Sequence, residues 1–209
     1  MHRSWFLCNA AIMLLVGTCQ CLGQASEGMP PVKPRWRPFI EESAQTANSM
    51  GYEGVGFYSR AGSEFWFRRT TVSVLGSLST TDKYVTHSGT SVGIEANAYY
   101  NVSRHFFLGG GLTWGRLITS EWSKSSIHPF IGGGFGANNF SATYDYVAAG
   151  TDHSNDVTGH RFKAMVPISS EDFYLVYRMA WYSAHETDCA TCSRQWGREA
   201  QFGILLRFR

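Results

Sequence analysis

The chain has 209 residues, with 18 Lys and Arg against 16 Asp and Glu and a formal net charge of +2 at pH 7. The two signs are interspersed along the sequence, which excludes the concentrated basic face of a nucleic-acid binder, and the length fits one domain.

The N-terminus reads as a targeting segment. Arg3 supplies a positive start, Ala10 to Gly17 (AAIMLLVG) a short apolar stretch, and Gly23 to Ala25 (GQA) the small residues a signal peptidase needs. The stretch is shorter than the roughly 20 residues a membrane helix requires, so residues 1–25 are expected to be a cleaved signal peptide. Three of the five cysteines, Cys8, Cys19 and Cys21, fall inside it. Export leaves Cys189 and Cys192 in an oxidising compartment.

Residues 26–48 contain MPPVKPRWRPF, with prolines at 30, 31, 34 and 38, followed by the polar EESAQTANS. Proline fixes φ and removes backbone donors, which predicts an extended Pro-rich linker over 26–48. By composition the same segment also reads as a disordered N-terminal tail, and a further alternative is a basic peptide bearing Trp36 that docks on another envelope component.

From residue 49 to 209 the dominant hydrophobic period is 2, the pattern of strands with two unlike faces. Eight segments are predicted, near 50–60, 64–79, 89–100, 106–118, 127–142, 160–167, 172–183 and 196–208. Tight links fall at 101–105 (NVSRH) and 167–172 (PISSED), where Pro167 is expected to end strand pairing. Longer polar links occupy 143–159 and 184–195. An all-β antiparallel meander of about eight strands follows, closing most simply as an up-and-down barrel. Counting back from the last strand puts the 101–105 link at the end of the barrel opposite the C-terminus, whereas its shortness is more typical of a turn at the C-terminal, periplasmic end, which one miscounted strand would explain.

Side-chain size decides which face looks inward. Val92, Ile94, Ala96, Ala98 and Tyr100 alternate with Gly93, Glu95, Asn97 and Tyr99. Phe106, Leu108, Leu112 and Trp114 oppose Phe107, Gly109, Gly111 and Thr113, while Ile131 and Phe135 oppose Gly132, Gly134 and Gly136. A face of Gly, Ala and polar residues cannot build a water-excluding core, but it suits the interior of a narrow membrane barrel whose apolar face meets lipid. A lipid-facing cation would cost roughly 2–4 kcal/mol at the midplane. Glu95, Asn97, Arg161, Lys163, Arg178 and Glu199 are therefore expected to form a polar network in the lumen.

Two loops carry chemistry-bearing residues. HETDCATC (185–192) brings Cys189 and Cys192 together, which predicts a small disulfide; metal binding with His185, Glu186 or Asp188, redox chemistry and free thiols are the alternatives. TDHSND (151–156) sets His153 beside Ser154, which on a strand would point to opposite faces. It reads as a solvated loop. Neither motif calls for a cofactor or a resident metal.

The terminal QFGILLRFR resembles the last strand of outer-membrane barrels. Gln201, Gly203, Leu206 and Phe208 stand at the positions of the insertion signal, with Arg209 following where such chains usually end on the aromatic. IHPFIGGGFGANNF and EDFYLVYRMAWYS are similar to the fifth and penultimate strands of small eight-stranded barrels of the outer membrane protein A and W type. The resemblance covers about residues 50–209. It implies residence in the bacterial outer membrane, contact with outer-membrane lipid and lipopolysaccharide, insertion by the barrel-assembly machinery, and a linker lying in the periplasm. An architecture does not fix a function; the function expected here is a non-enzymatic structural, surface-interaction or minor channel role. Two alternatives are a barrel hydrolase acting on lipid A and a secreted soluble barrel binding an apolar ligand. The first wants a His-x-Ser pair on a late strand, where this sequence has Trp181-Tyr182-Ser183, with His185 two residues after the serine. No feature of the sequence indicates an oligomeric state.

Overall fold

The period-2 pattern is realised as ten antiparallel strands: β1 (Arg35–Ser49), β2 (Tyr52–Phe67), β3 (Thr70–Lys83), β4 (Gly89–Asn101), β5 (Phe106–Ile118), β6 (Ser123–Ala137), β7 (Phe140–Val147), β8 (Asn155–Ser170), β9 (Phe173–Glu186) and β10 (Gln195–Arg207). Each pairs with its sequence neighbours, and β1 pairs with β10 to close an up-and-down barrel. The computed structural model describes residues 35–49, 52–83, 89–118, 123–137, 140–150, 155–170, 172–186 and 195–208. The predicted signal peptide lies outside the described residues.

The expected count of about eight strands is corrected to ten by β1 and β7. The predicted linker over 26–48 ends at residue 34 at the latest, because Arg35–Ser49 is a full strand with partners on both sides. Its polarity misled: Arg37, Glu41, Ser43 and Gln45 share the inward face, and the outward face holds Glu42, Ala44 and Thr46 among its few larger residues. Pro38 is tolerated because a strand can spare a donor near its end, while its carbonyl accepts the amide of Phe208 at 2.8 Å.

The other strand is β7. Ala137 pairs with Phe140, so the predicted 127–142 segment is a hairpin rather than one strand. The sequence signal was Asn138-Asn139, residues that favour tight turns. Adding this hairpin moves the 101–105 link to the end of the barrel where β1 begins and β10 ends, the termini end. A similar fusion affects the predicted 64–79 segment, where Phe67 pairs with Thr70 across Arg68 and Arg69. Arg68 has φ 42°, the left-handed conformation that two-residue hairpins require and that Gly or Asn normally supplies. Pro167 does not end pairing: β8 runs to Ser170 through a register shift between Pro167 and Ser170.

The termini end of the barrel has short connections, two residues at Arg68–Arg69 and two at 138–139, whereas the opposite end carries the longer stretches 148–154 and 187–194. Large apolar side chains point out. Phe57 is 73% exposed, Ile131 66%, Leu108 61% and Ile94 52%. Polar and charged side chains are buried inside, including Glu41 at 0% and Glu95 at 8%. One apolar cluster does sit in the lumen, Phe39, Leu75, Met165, Tyr174, Val176 and Leu205. It fills the termini-side part of the wall formed by β1, β3, β8, β9 and β10. Burying side chains of this size contributes roughly 1.5–3 kcal/mol each.

Candidate functional site

Across from that cluster the wall is built of glycine. A Cβ at Gly109 would stand 2.7 Å from Tyr99 Cα, and one at Gly132 would stand 2.7 Å from Asp145 Cα. These glycines let Tyr99 and Asp145 lie flat against β5 and β6 and reach each other, with Tyr99 donating its hydroxyl to Asp145 Oδ1 at 2.7 Å. The space they leave is part of a cavity of about 1130 Å³ inside the barrel, lined from Arg69 and Arg104 at the termini end, past Glu95 and Arg178, to Ser91 and Leu117 near the other end. Ten strands enclose a wider lumen than eight, since barrel diameter grows with strand number.

Glu95 is the centre of the largest polar group. Its Oε2 accepts from Arg161 at 2.7 Å and from Thr113 at 3.2 Å, and its Oε1 accepts from Asn97 at 3.2 Å. Arg60 stands 3.6 Å from the same carboxylate. Asn97 accepts from Ser73 at 2.8 Å, and Arg161 donates a second bond to Asp145 at 3.2 Å. The Arg161 guanidinium also covers the Phe130 ring at 4.2 Å. Two cations, from β2 and β8, thus hold one carboxylate of β4, at a place where water screens little.

A second group fixes β9 to β1. Arg178 donates Nε to Glu41 Oε1 at 2.8 Å and Nη2 to Glu41 Oε2 at 2.5 Å, a two-pronged fork on a carboxylate that solvent does not reach. Farther toward the loops, Glu199 accepts from Gln201 at 2.5 Å and from Tyr182 at 3.4 Å. At the termini end Arg207 donates to Glu64 at 3.1 Å and covers the Tyr174 ring at 4.7 Å.

Of the six residues expected in the lumen, Glu95, Asn97 and Arg161 are joined directly. Arg178 joins Glu41, and Glu199 joins Tyr182 and Gln201. Lys163 lines the cavity between its cross-strand neighbours Thr143 and Arg178. It makes no hydrogen bond or ion pair among the described residues. Periodicity does not reveal Glu41, because β1 has the composition of a linker, nor Asp145, because most of β7 falls in the polar 143–159 stretch. Arg60, at the edge of a predicted segment, shares the phase of Tyr58, whose hydroxyl it meets at 2.9 Å.

On β10, Gln201 points inward and Leu206 and Phe208 point outward. Gly203 faces Ser43 across the closing seam, where a Cβ would stand 2.6 Å from Ser43 Cα. Cys189 and Cys192, like His153 and Ser154, lie outside the described residues. Ser183 is buried, its hydroxyl without a hydrogen-bond partner among the described residues, and its cross-strand neighbours are Thr158 and Trp196. A different contact, which no motif announces, joins Ser126 Oγ to His128 Nε2 at 2.9 Å on β6.

Together, these faces define a closed ten-stranded barrel with an apolar exterior and a charged, hydrogen-bonded lumen. No protein-family model matches the chain, and no curated protein matches it. Among solved structures, Neisserial surface protein A aligns at a TM-score of 0.44 and 12% identity, over 85% of this chain and 100% of that one. The β domain of the Bordetella autotransporter BrkA aligns at 0.49 and 12% identity, over 82% of this chain and 98% of that one. The translocator domain of the autotransporter NalP from Neisseria meningitidis aligns at 0.47 and 11% identity, over 96% and 97%.

Proposed function

We propose that the chain is an integral outer-membrane β-barrel, non-enzymatic, whose lumen serves as a narrow conduit for small solutes. The inversion of its faces carries this reading: Ile94 is exposed while its neighbour Glu95 is buried, and the same reversal recurs around the barrel. In water such an exterior would leave a continuous apolar belt unsatisfied; in a bilayer it is the favourable arrangement. Short connections at the termini end and longer ones opposite fit termini in the periplasm and loops outside. The exterior meets lipid and lipopolysaccharide, and Gln201, Gly203, Leu206 and Phe208 present the strand that the barrel-assembly machinery takes up. In the exported loop Cys189 and Cys192 close a disulfide, a pairing supported by the oxidising compartment.

Extraction of native envelopes tests the membrane reading. The protein is expected to stay in the pellet through high salt and carbonate and to require detergent; release without detergent would overturn it and favour a secreted barrel. A hydrolase reading draws on the Ser126–His128 contact, which is the pairing of a nucleophile with a base. Mass spectrometry of lipid A from expressing cells decides it, because an acyl chain lost with the wild type and kept with Ser126→Ala would establish the enzyme.

A further inference from the structure

The charge of the cavity wall differs sharply from that of the chain. Nine Arg and Lys side chains line the cavity against four acids, Glu64, Glu95, Asp145 and Glu199, in a chain whose formal net charge is only +2. Each acid already accepts from protein donors: Glu64 from Arg207, Glu95 from Arg161, Asp145 from Arg161 and Tyr99, and Glu199 from Tyr182 and Gln201. Glu41 is sealed beneath the Arg178 fork. The surplus is basic, and it has an address. Arg69 and Arg104 stand at the termini-side mouth, on the connections at 68–69 and 102–105, and form no ion pair among the described residues. Arg37 beside them has its guanidinium over the Trp66 ring at 5.9 Å, a contact that leaves its charge in place. Farther in, Lys163 is the next cation without a carboxylate bound to it.

We infer that the lumen binds small oxyanions, which enter past Arg37, Arg69 and Arg104 and are held at Lys163. Guanidinium groups suit this chemistry because their planar donors match carboxylate and phosphate oxygens in pairs. A low-dielectric wall of one sign concentrates counter-ions in the cleft it lines. Lys163 offers a compact charge with three rotatable donors, able to follow a solute in a wide lumen. The inference rests on the conduit reading for the anion's passage, but its binding half stands without it.

Two measurements on the purified, detergent-solubilised full barrel separate the claims. In the first, citrate and inorganic phosphate are titrated at constant ionic strength, and the thermal midpoint of barrel unfolding is followed by the mobility shift of heated samples in gels. Both anions should raise the midpoint of the wild type, and Lys163→Gln should lose at least half of that rise. In the second, single barrels in planar bilayers under a tenfold KCl gradient should reverse at a potential favouring chloride several-fold over potassium. The triple variant Arg37→Gln, Arg69→Gln, Arg104→Gln should bring that ratio close to unity. A raised midpoint without conductance would keep the anion site and remove the conduit. Conductance with no chloride preference and no anion-dependent midpoint would overturn the inference and leave the conduit standing. If Lys163→Gln folds poorly, Lys163→Arg must retain the rise, and its loss there would also contradict a charge-based site.

Discussion

Glu41 has no exposed surface, and its two oxygens each receive one nitrogen of Arg178. A buried pair of this kind contributes little over an apolar pair of equal volume, because both ions give up their water; losing one partner alone is severe. Arg178→Met is therefore expected to destabilise the barrel by about 3–5 kcal/mol, read as a lower urea midpoint. The double variant Glu41→Met, Arg178→Met should recover most of that loss. Equal loss in both would mean that the fork is not the reason the two side chains are there. Glu95 behaves differently, since Arg161, Thr113 and Asn97 all donate to it. No single partner's removal should isolate it, so Asn97→Ala should cost only about 1 kcal/mol by the same measurement.

At the scale of elements, closure depends on the β1–β10 seam, where Ser43 opposes Gly203 and Gln45 opposes Gln201. A side chain at Gly203 collides with Ser43 and with the carbonyl of Glu42. Gly203→Val is expected to cost at least about 1–3 kcal/mol through overpacking and to reduce the fraction that reaches the heat-modifiable folded form. Gly203→Ala should show the same effect more weakly. The seam also marks the limit of what could be read beforehand. β4, β5, β9 and β10 were legible because large apolar residues alternate with Gly or charge. β1 was not, because its outward face carries Glu42, Ala44 and Thr46 and its start is rich in proline. The hairpin at Arg68–Arg69 is hidden for another reason. Arg68 adopts a left-handed conformation without the glycine that usually announces one. The lumen residues on the legible strands could be named in advance; their partners Glu41 and Asp145 lay on the two strands that could not.

For the whole molecule, the decisive property is which solvent the outer face meets. Ile94 lies near the middle of β4 beside Gly76 and Trp114, so Ile94→Lys should place a cation in the hydrocarbon at roughly 2–4 kcal/mol. In a soluble barrel an exposed lysine at that position would cost almost nothing. The most direct measurement puts a spin label at a single introduced cysteine in a barrel reconstituted into lipid vesicles, with Cys189 and Cys192 replaced by serine. Labels at Ile94→Cys and Ile131→Cys should relax strongly with oxygen, which concentrates in lipid, and weakly with a water-soluble nickel chelate. A label at Asn97→Cys should show the reverse. Chelate-accessible labels at 94 and 131 would contradict the inverted barrel.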